Sequence, residues 1–188
     1  MNRVICYRQD LETVCLTPCK DEHQLRSILS DKKMNHRESC YLLSDVDAEL
    51  LLSLQFNQSV RVSKLVIKST VFEQAPKAIK LFVNYPSIGF EHVEADEPVA
   101  EIDIDGDDEE TLKSELQQGY RINLQQGRRG NLKVVKFSKL QTVTSLHIFV
   151  ASNQGGGDET RIDGIDVLGF TPETTKNLSG LKKVEEDH

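Results

Sequence analysis

The sequence predicts an all-β domain built as an antiparallel sandwich, and three observations carry that prediction. Short apolar stretches recur with a period of two, the spacing that places alternate side chains on one face of a strand. Runs rich in glycine, proline, asparagine and aspartate separate them, as turns require. Helical periodicity is scarce, so sheet packed on sheet is the simplest way to bury the apolar faces. A closed all-β barrel satisfies the same pattern.

At 188 residues the chain is long enough for one domain with a sizeable core. We expect an N-terminal extension at residues 1–39 packing on a core at 40–171, and a flexible C-terminal tail at 172–188. A net charge of −7 and a pI near 5.3 oppose adsorption to nucleic acid or to anionic membrane surfaces. Arg128, Arg129 and Lys133 form the main basic cluster and read as an exposed loop. No apolar run approaches the roughly 20 residues of a membrane-spanning helix. The start, MNRVICYRQDLE, lacks a secretory pattern. A soluble, monomeric, cytoplasmic protein, nuclear as well, is the expectation. Its cysteines, Cys6, Cys15, Cys19 and Cys40, should then be reduced. Cys15 and Cys19 have neither redox nor zinc-pair spacing, and no metal or cofactor is expected.

In chain order, Glu22 to Leu29 can form a short helix with Leu25, Ile28 and Leu29 on one side, within an otherwise irregular extension that wraps the domain. Asp45, Asp47 and Glu49 read as a solvated turn whose carboxylates satisfy local backbone donors. Leu50, Leu52, Leu54 and Phe56 then alternate as a strand. The next run, Val60, Val62, Leu65 and Ile67, breaks phase at Ser63-Lys64, as a β-bulge would. Pro76 opens a strand through Ile79, Leu81 and Val83 that Asn84-Tyr85-Pro86 ends. A strand edge at Val99, Ile102 and Ile104 leads into a charged loop, and Leu112 to Gly119 into a short helix. Gln125 to Gly130 is a turn. Leu146, Ile148 and Val150 form the inner face of a further strand, and Ile162, Ile165, Val167 and Phe170 supply another after the glycine-rich Asn153 to Asp158.

Enzyme chemistry finds little support. No nucleophile-elbow motif surrounds Ser138, Ser145 or Ser152, His147 reads as an outward strand residue, and the glycine run lacks the lysine and Ser/Thr of a phosphate loop. Two regions could bind instead. Arg161, with Asn153 and Asp158, could hold a carboxylate or phosphate of a polar ligand or glycan. The same residues could equally close the loop, Arg161 pairing with Asp158, Asp163 or backbone carbonyls. The acidic run Asp105, Asp107, Asp108, Glu109 and Glu110 could steer a basic protein partner.

Three stretches, SDVDAELLLSLQFNQSV at 44–60, PKAIKLFVNYPSIGFEHVEADEP at 76–98 and VVKFSKLQTVTSLHIFVASNQGGGDETRIDGIDVLGF at 134–170, resemble in order and spacing the PITH domain found at the C-terminus of thioredoxin-like proteins. The resemblance implies a jelly-roll β-sandwich like the galactose-binding domain, without catalytic residues. It also implies a protein partner, the regulatory particle of the 26S proteasome. The thioredoxin domain and its CxxC are absent from this sequence, so reductase activity does not carry over. The tail LKKVEEDH is similar to the proteasome-associated branch, which makes Lys182, Lys183 and His188 candidates for a partner contact.

Overall fold

The computed structural model describes residues 3–4, 11–15, 25–29, 39–125 and 132–171. In chain order the elements are β1 (Arg3–Val4), β2 (Leu11–Cys15), α1 (Leu25–Ile28), β3 (Leu42–Leu43), β4 (Leu50–Lys68), β5 (Pro76–Val83), α2 (Phe90–Ala95), β6 (Ala100–Asp103), α3 (Glu109–Gln118), β7 (Tyr120–Asn123), β8 (Leu132–Val135), β9 (Val143–Asn153), β10 (Arg161–Ile162) and β11 (Gly164–Phe170). Two 3-10 turns, Phe72–Gln74 and Phe137–Leu140, join them.

The long strand β4 belongs to two sheets. Its first half lies between β2 and β9, and that sheet continues through β5 and β6 to β8. Its second half lies between β11 and β7, with β1 beyond β11. The hand-over follows a register shift between Gln55 and Val60. All these pairings are antiparallel, so the architecture is a sandwich whose two layers share one strand.

Alternation fills the space between the layers. Leu50, Leu52 and Leu54 of β4, Leu146, Ile148 and Val150 of β9, and Ile79 and Leu81 of β5 face Leu65, Ile67, Ile122, Ile165 and Val167 of the other sheet in one buried cluster. Leu25, Ile28 and Leu29 enter the same core, as the short amphipathic helix predicts, and Leu29 bridges to Ile165. Truncating one such leucine to alanine removes about 2–5 kcal/mol.

The predicted bulge is present: Leu168 pairs with Lys64 and Gly169 with Val62, passing over Ser63, whose hydroxyl donates to the Leu168 carbonyl at 2.9 Å. β5 begins at Pro76 and ends before Asn84, which takes φ 63°. Asparagine tolerates this left-handed conformation. Asn84 also binds across to the next strand, its Oδ1 accepting from the Thr144 amide at 2.8 Å. At 45–49, Asp47 accepts from the Glu49 amide at 3.0 Å, the local closure expected there.

Four features depart from the sequence-based expectation. Strands β1 and β2 lie before residue 40, where no strand was expected, and they extend both sheets. Residues 90–110 contain helix α2 before β6, not a strand edge and loop alone. The charged loop ends at Asp108, because its carboxylate caps α3 and starts the helix at Glu109, three residues earlier than expected. Lastly, the outer face of the larger sheet is covered over part of its area. Leu51, Phe82, Ile88, Val93 and Phe149 form a second buried cluster there, beneath α2.

Candidate functional site

The loop after β9 is organised by side chains that bond within it. Asn153, buried at the strand end, donates through Nδ2 to the carbonyls of Gly157 and Glu159, both at 2.8 Å. Its Oδ1 has no partner among the described residues. The turn needs glycine at two places: Gly156 has φ 70°, and a side chain at Gly155 would stand 2.8 Å from the Glu73 carbonyl. Thr160 is fixed from both ends, its hydroxyl donating to the Ala48 carbonyl at 2.6 Å and its amide to Ser44 Oγ at 2.9 Å.

Arg161 follows, and its guanidinium is turned inward. It meets Asp163 through Nη2–Oδ1 at 2.7 Å and lies over the Tyr41 ring, 3.8 Å from the centroid. Asp163 is 2% exposed and also accepts from the Thr70 amide at 2.9 Å. Of the two roles open to Arg161, the geometry is that of loop closure, with Asp163 as the partner. Asp158 stands exposed at the tip beside Gly155 to Gly157.

The acidic run adjoins this loop. Gln154 donates to the carbonyl of Ile104 at 2.7 Å and to that of Pro76 at 3.2 Å, tying the loop to the residue before Asp105. Asp105, Asp107, Glu109 and Glu110 are exposed. Asp108 is spent on helix α3: its Oδ1 accepts from the Thr111 amide at 2.8 Å and its Oδ2 from the Thr111 hydroxyl at 2.7 Å. Those bonds, the backbone one foremost, hold its carboxyl below the usual aspartate range. Glu109 pairs with Lys113 at 2.6 Å, and Lys113 sits over the Phe72 ring. Tyr120 donates to the Asp105 carbonyl at 3.3 Å. Burial, then the carboxylates of Glu115 and Asp105, push its hydroxyl up to about 12. A shallow cavity of about 470 Å³ opens between the end of α3 and β7, lined by Glu115, Gln118, Gly119, Tyr120 and Arg121. Lys133 pairs with Asp103 at 2.5 Å, whereas Arg128 and Arg129 lie outside the described residues, as do Lys182, Lys183 and His188.

His147 requires a correction. It does point away from the core between the sheets, but it is only 1% exposed, with Tyr85 lying over it. Its Nε2 lies 3.1 Å from both the Tyr85 carbonyl and Ser145 Oγ, and the Ser145 hydroxyl also donates to that carbonyl at 3.1 Å. A serine and a histidine therefore do meet, yet both are buried and both serve one main-chain oxygen. Sequence reasoning missed this group, although the run Leu50 to Leu54 signals it. A strand apolar at consecutive positions is covered on both faces.

Comparison with known proteins places this geometry. A Schizosaccharomyces pombe protein, "Thioredoxin-like protein 1", is 30% identical over 172 residues, 88% of this chain and 50% of its own length. The chain thus spans about half of that relative. Among solved structures, the family 32 CBM of C. perfringens NanJ in complex with galactose superposes with a TM-score of 0.57 over 89% of this chain and 99% of its own, at 9% identity. A fucose-binding module of Streptococcus pneumoniae gives 0.53 over 89% and 98%, at 14% identity. Such low identities speak for the fold alone, a galactose-binding-like jelly-roll sandwich. The PITH domain family matches residues 9–187, and with that the chain belongs to the PITH domain family.

Proposed function

We propose that this domain is a non-catalytic protein-interaction module whose partner is the regulatory particle of the 26S proteasome. Membership of the PITH domain family, with a thioredoxin-like protein as relative, carries the reading. The site geometry supports it in two ways. Arg161, Asp163 and Asn153 are used within the loop, and Ser145 and His147 are buried away from any substrate. What this end offers to solvent includes the exposed carboxylates of Asp105, Asp107, Glu109 and Glu110, the last two shared with Lys113, and Asp158 at the tip of the loop that Gln154 ties to Ile104. Such a surface steers a basic partner and sets its register more than its affinity. Lys182, Lys183 and His188 supply a second contact, and the protein acts in the cytoplasm and nucleus.

Affinity purification at native abundance with mass spectrometry is the test, and recovery of regulatory-particle subunits is the expected result. Deleting Leu181 to His188 should reduce that recovery, and reversing the acidic charges should weaken association and flatten its salt dependence. A polar-ligand or glycan role is the competing outcome. Heat on titrating galactose at about millimolar concentration, with no proteasome recovered, would favour it.

A further inference from the structure

An apolar patch on the outer face of the larger sheet is covered by one short stretch, Tyr85 to Asp96, that includes the six-residue helix α2. Beneath it lie Leu51, Phe82 and Phe149, with Ile88 and Val93 packing down from the stretch itself. Phe90 meets Phe149 edge-on, with ring centroids 6.1 Å apart. Tyr85 is the hub. Its carbonyl takes the bonds of Ser145 and His147, its ring stands edge-on to His147 at 6.2 Å and to His92 at 5.4 Å, and its hydroxyl donates to Asp96 at 2.9 Å.

His147 holds this hub through Nε2, and the cost of charging the ring falls on its burial and on its other nitrogen. Since the Tyr85 carbonyl can only accept, the network puts the imidazole proton on Nε2. Nδ1 is then a bare lone pair, and it has no hydrogen-bond partner among the described residues. A second proton there would create a buried cation whose new N–H meets no acceptor among the described residues. We propose that the stretch from Tyr85 to Asp96 is an acid-sensitive latch: protonation of His147 releases it and bares the apolar surface of Leu51, Phe82 and Phe149.

No carboxylate is bonded to His147 among the described residues. On its own strand the neighbours on that face are Ser145 and Phe149; across on β4 stands Ser53, and on β5 Phe82, with Lys80 one step on, opposite Phe149. Beyond β4, β2 places Val14 opposite Ser53 and Glu12 opposite Gln55. From above come Tyr85, with its hydroxyl on Asp96, and His92. His92 Nδ1 accepts from the Gly89 amide at 3.1 Å, which also requires an unprotonated nitrogen, and lies 3.2 Å from Glu91 Oε1. One contact works the other way. The Glu49 carboxyl is pushed up by burial and then by Asp47 and Glu94, so acid relieves a repulsion between Glu49 and α2. That relief is small beside a buried imidazolium, because Glu49 and Glu94 are both partly or fully exposed.

Burial depresses the His147 pKa below 6.5, with the bond to the Tyr85 carbonyl opposing. The folded state therefore binds the proton less readily than the unfolded one. Stability from this site is complete above 6.5 and is lost as pH falls through the depressed value.

The test is an amide NMR titration of the full chain from neutral pH to about pH 5, with the His147 ring followed in parallel. Loss of the native cross-peaks of residues 84–96 together with titration of His147, while core amides of β4 and β11 keep theirs, is expected. Binding of an apolar dye should rise over the same range. His147→Gln, which can still donate to the Tyr85 carbonyl, should keep the cross-peaks, whereas His92→Gln should not prevent their loss. Should His147→Gln fail to fold, Tyr85→Phe tests the same network, since losing the Asp96 tie should move the opening to higher pH. The proposal is overturned if His147 titrates with the stretch in place, or stays neutral throughout. It is equally overturned if His147→Gln opens over the same range, if the whole domain unfolds in one step, or if Tyr85→Phe leaves the midpoint unchanged.

Discussion

Strand β9 serves two regions built on opposite principles. At its end, Asn153 to Asp163 forms a polar loop whose buried groups are bonded to one another, with Arg161, Asp163, Thr70 and Tyr41 in one assembly. Along its outer face, Ser145, His147 and Phe149 support a small apolar cluster under a short helix, tied down by one carbonyl and one hydroxyl. Among the described residues each region leaves one buried polar atom unpaired, Asn153 Oδ1 in the loop and His147 Nδ1 under the helix. The amide oxygen carries the same cost at any ordinary pH. The imidazole nitrogen can take up a proton, so the second region alone has a cost that the solution can change. Rigidity in the loop comes from polar pairing, and in the cover from apolar packing over a titratable group.

Cutting into the packing of the cover should give the largest effect. Phe149→Ala removes a buried ring touched by Phe90 and Leu51, and a loss of about 4 kcal/mol in urea denaturation is expected. The loop should respond next. Arg161→Ala leaves the buried Asp163 carboxylate without its cation, an expected loss of about 3 kcal/mol, at the lower end for such pairs because Arg161 keeps some solvent contact. If Asp163→Asn added to Arg161→Ala restores most of that loss, the cost was the stranded charge. A full loss in the double variant would show that the loop depends on the arginine for packing over Tyr41.

A smaller effect separates the regions by pH. Wild-type stability should fall as pH drops below 6.5, at most by about 1.4 kcal/mol per pH unit, the limit for uptake of one proton, and His147→Gln should remove that slope. Asp166 must be kept in view. Burial pushes its carboxyl up, so its contribution is present at low pH and lost as pH rises through its folded value, the opposite sign. The difference between wild type and His147→Gln therefore isolates the histidine. A loop variant that leaves the Arg161–Asp163 pair in place, such as Asp158→Asn at the exposed tip, should leave the slope intact. The smallest change should come from Asp108→Ala, which removes the cap of α3 at an exposed position and should lower the unfolding midpoint slightly without touching either region.

Most of the sandwich was legible because its signals are local. Alternation at Leu50 to Leu54 and at Leu146 to Val150, the phase break at Ser63 and the stop at Asn84 each follow from side-chain direction or backbone sterics over a few residues. Helix α2 was not legible. Six residues with one buried side chain, Val93, make no periodic pattern, and the helix owes its existence to the apolar sheet face it covers. In the candidate site, the membership of Asn153, Asp158 and Arg161 in one loop could be read from their closeness in the chain. The partner of Arg161 could not be chosen, since Asp158 and Asp163 are within the same few residues and only the path through Thr160 turns the guanidinium toward Asp163.

What the sequence alone determined is the set of strands, their turns and the faces they bury, because these depend on the period of apolar residues and on glycine, proline and asparagine at fixed places. Its motif order also carried the resemblance that the family match supports. What only the tertiary structure decided is pairing over long range. It set the hand-over of β4 from one sheet to the other, the bond from Gln154 to Ile104 that brings loop and acidic run together, and the cover that buries His147. In each case the partners are tens of residues apart, and a side chain's exposure or charge state is set by what folds over it rather than by its neighbours in the chain.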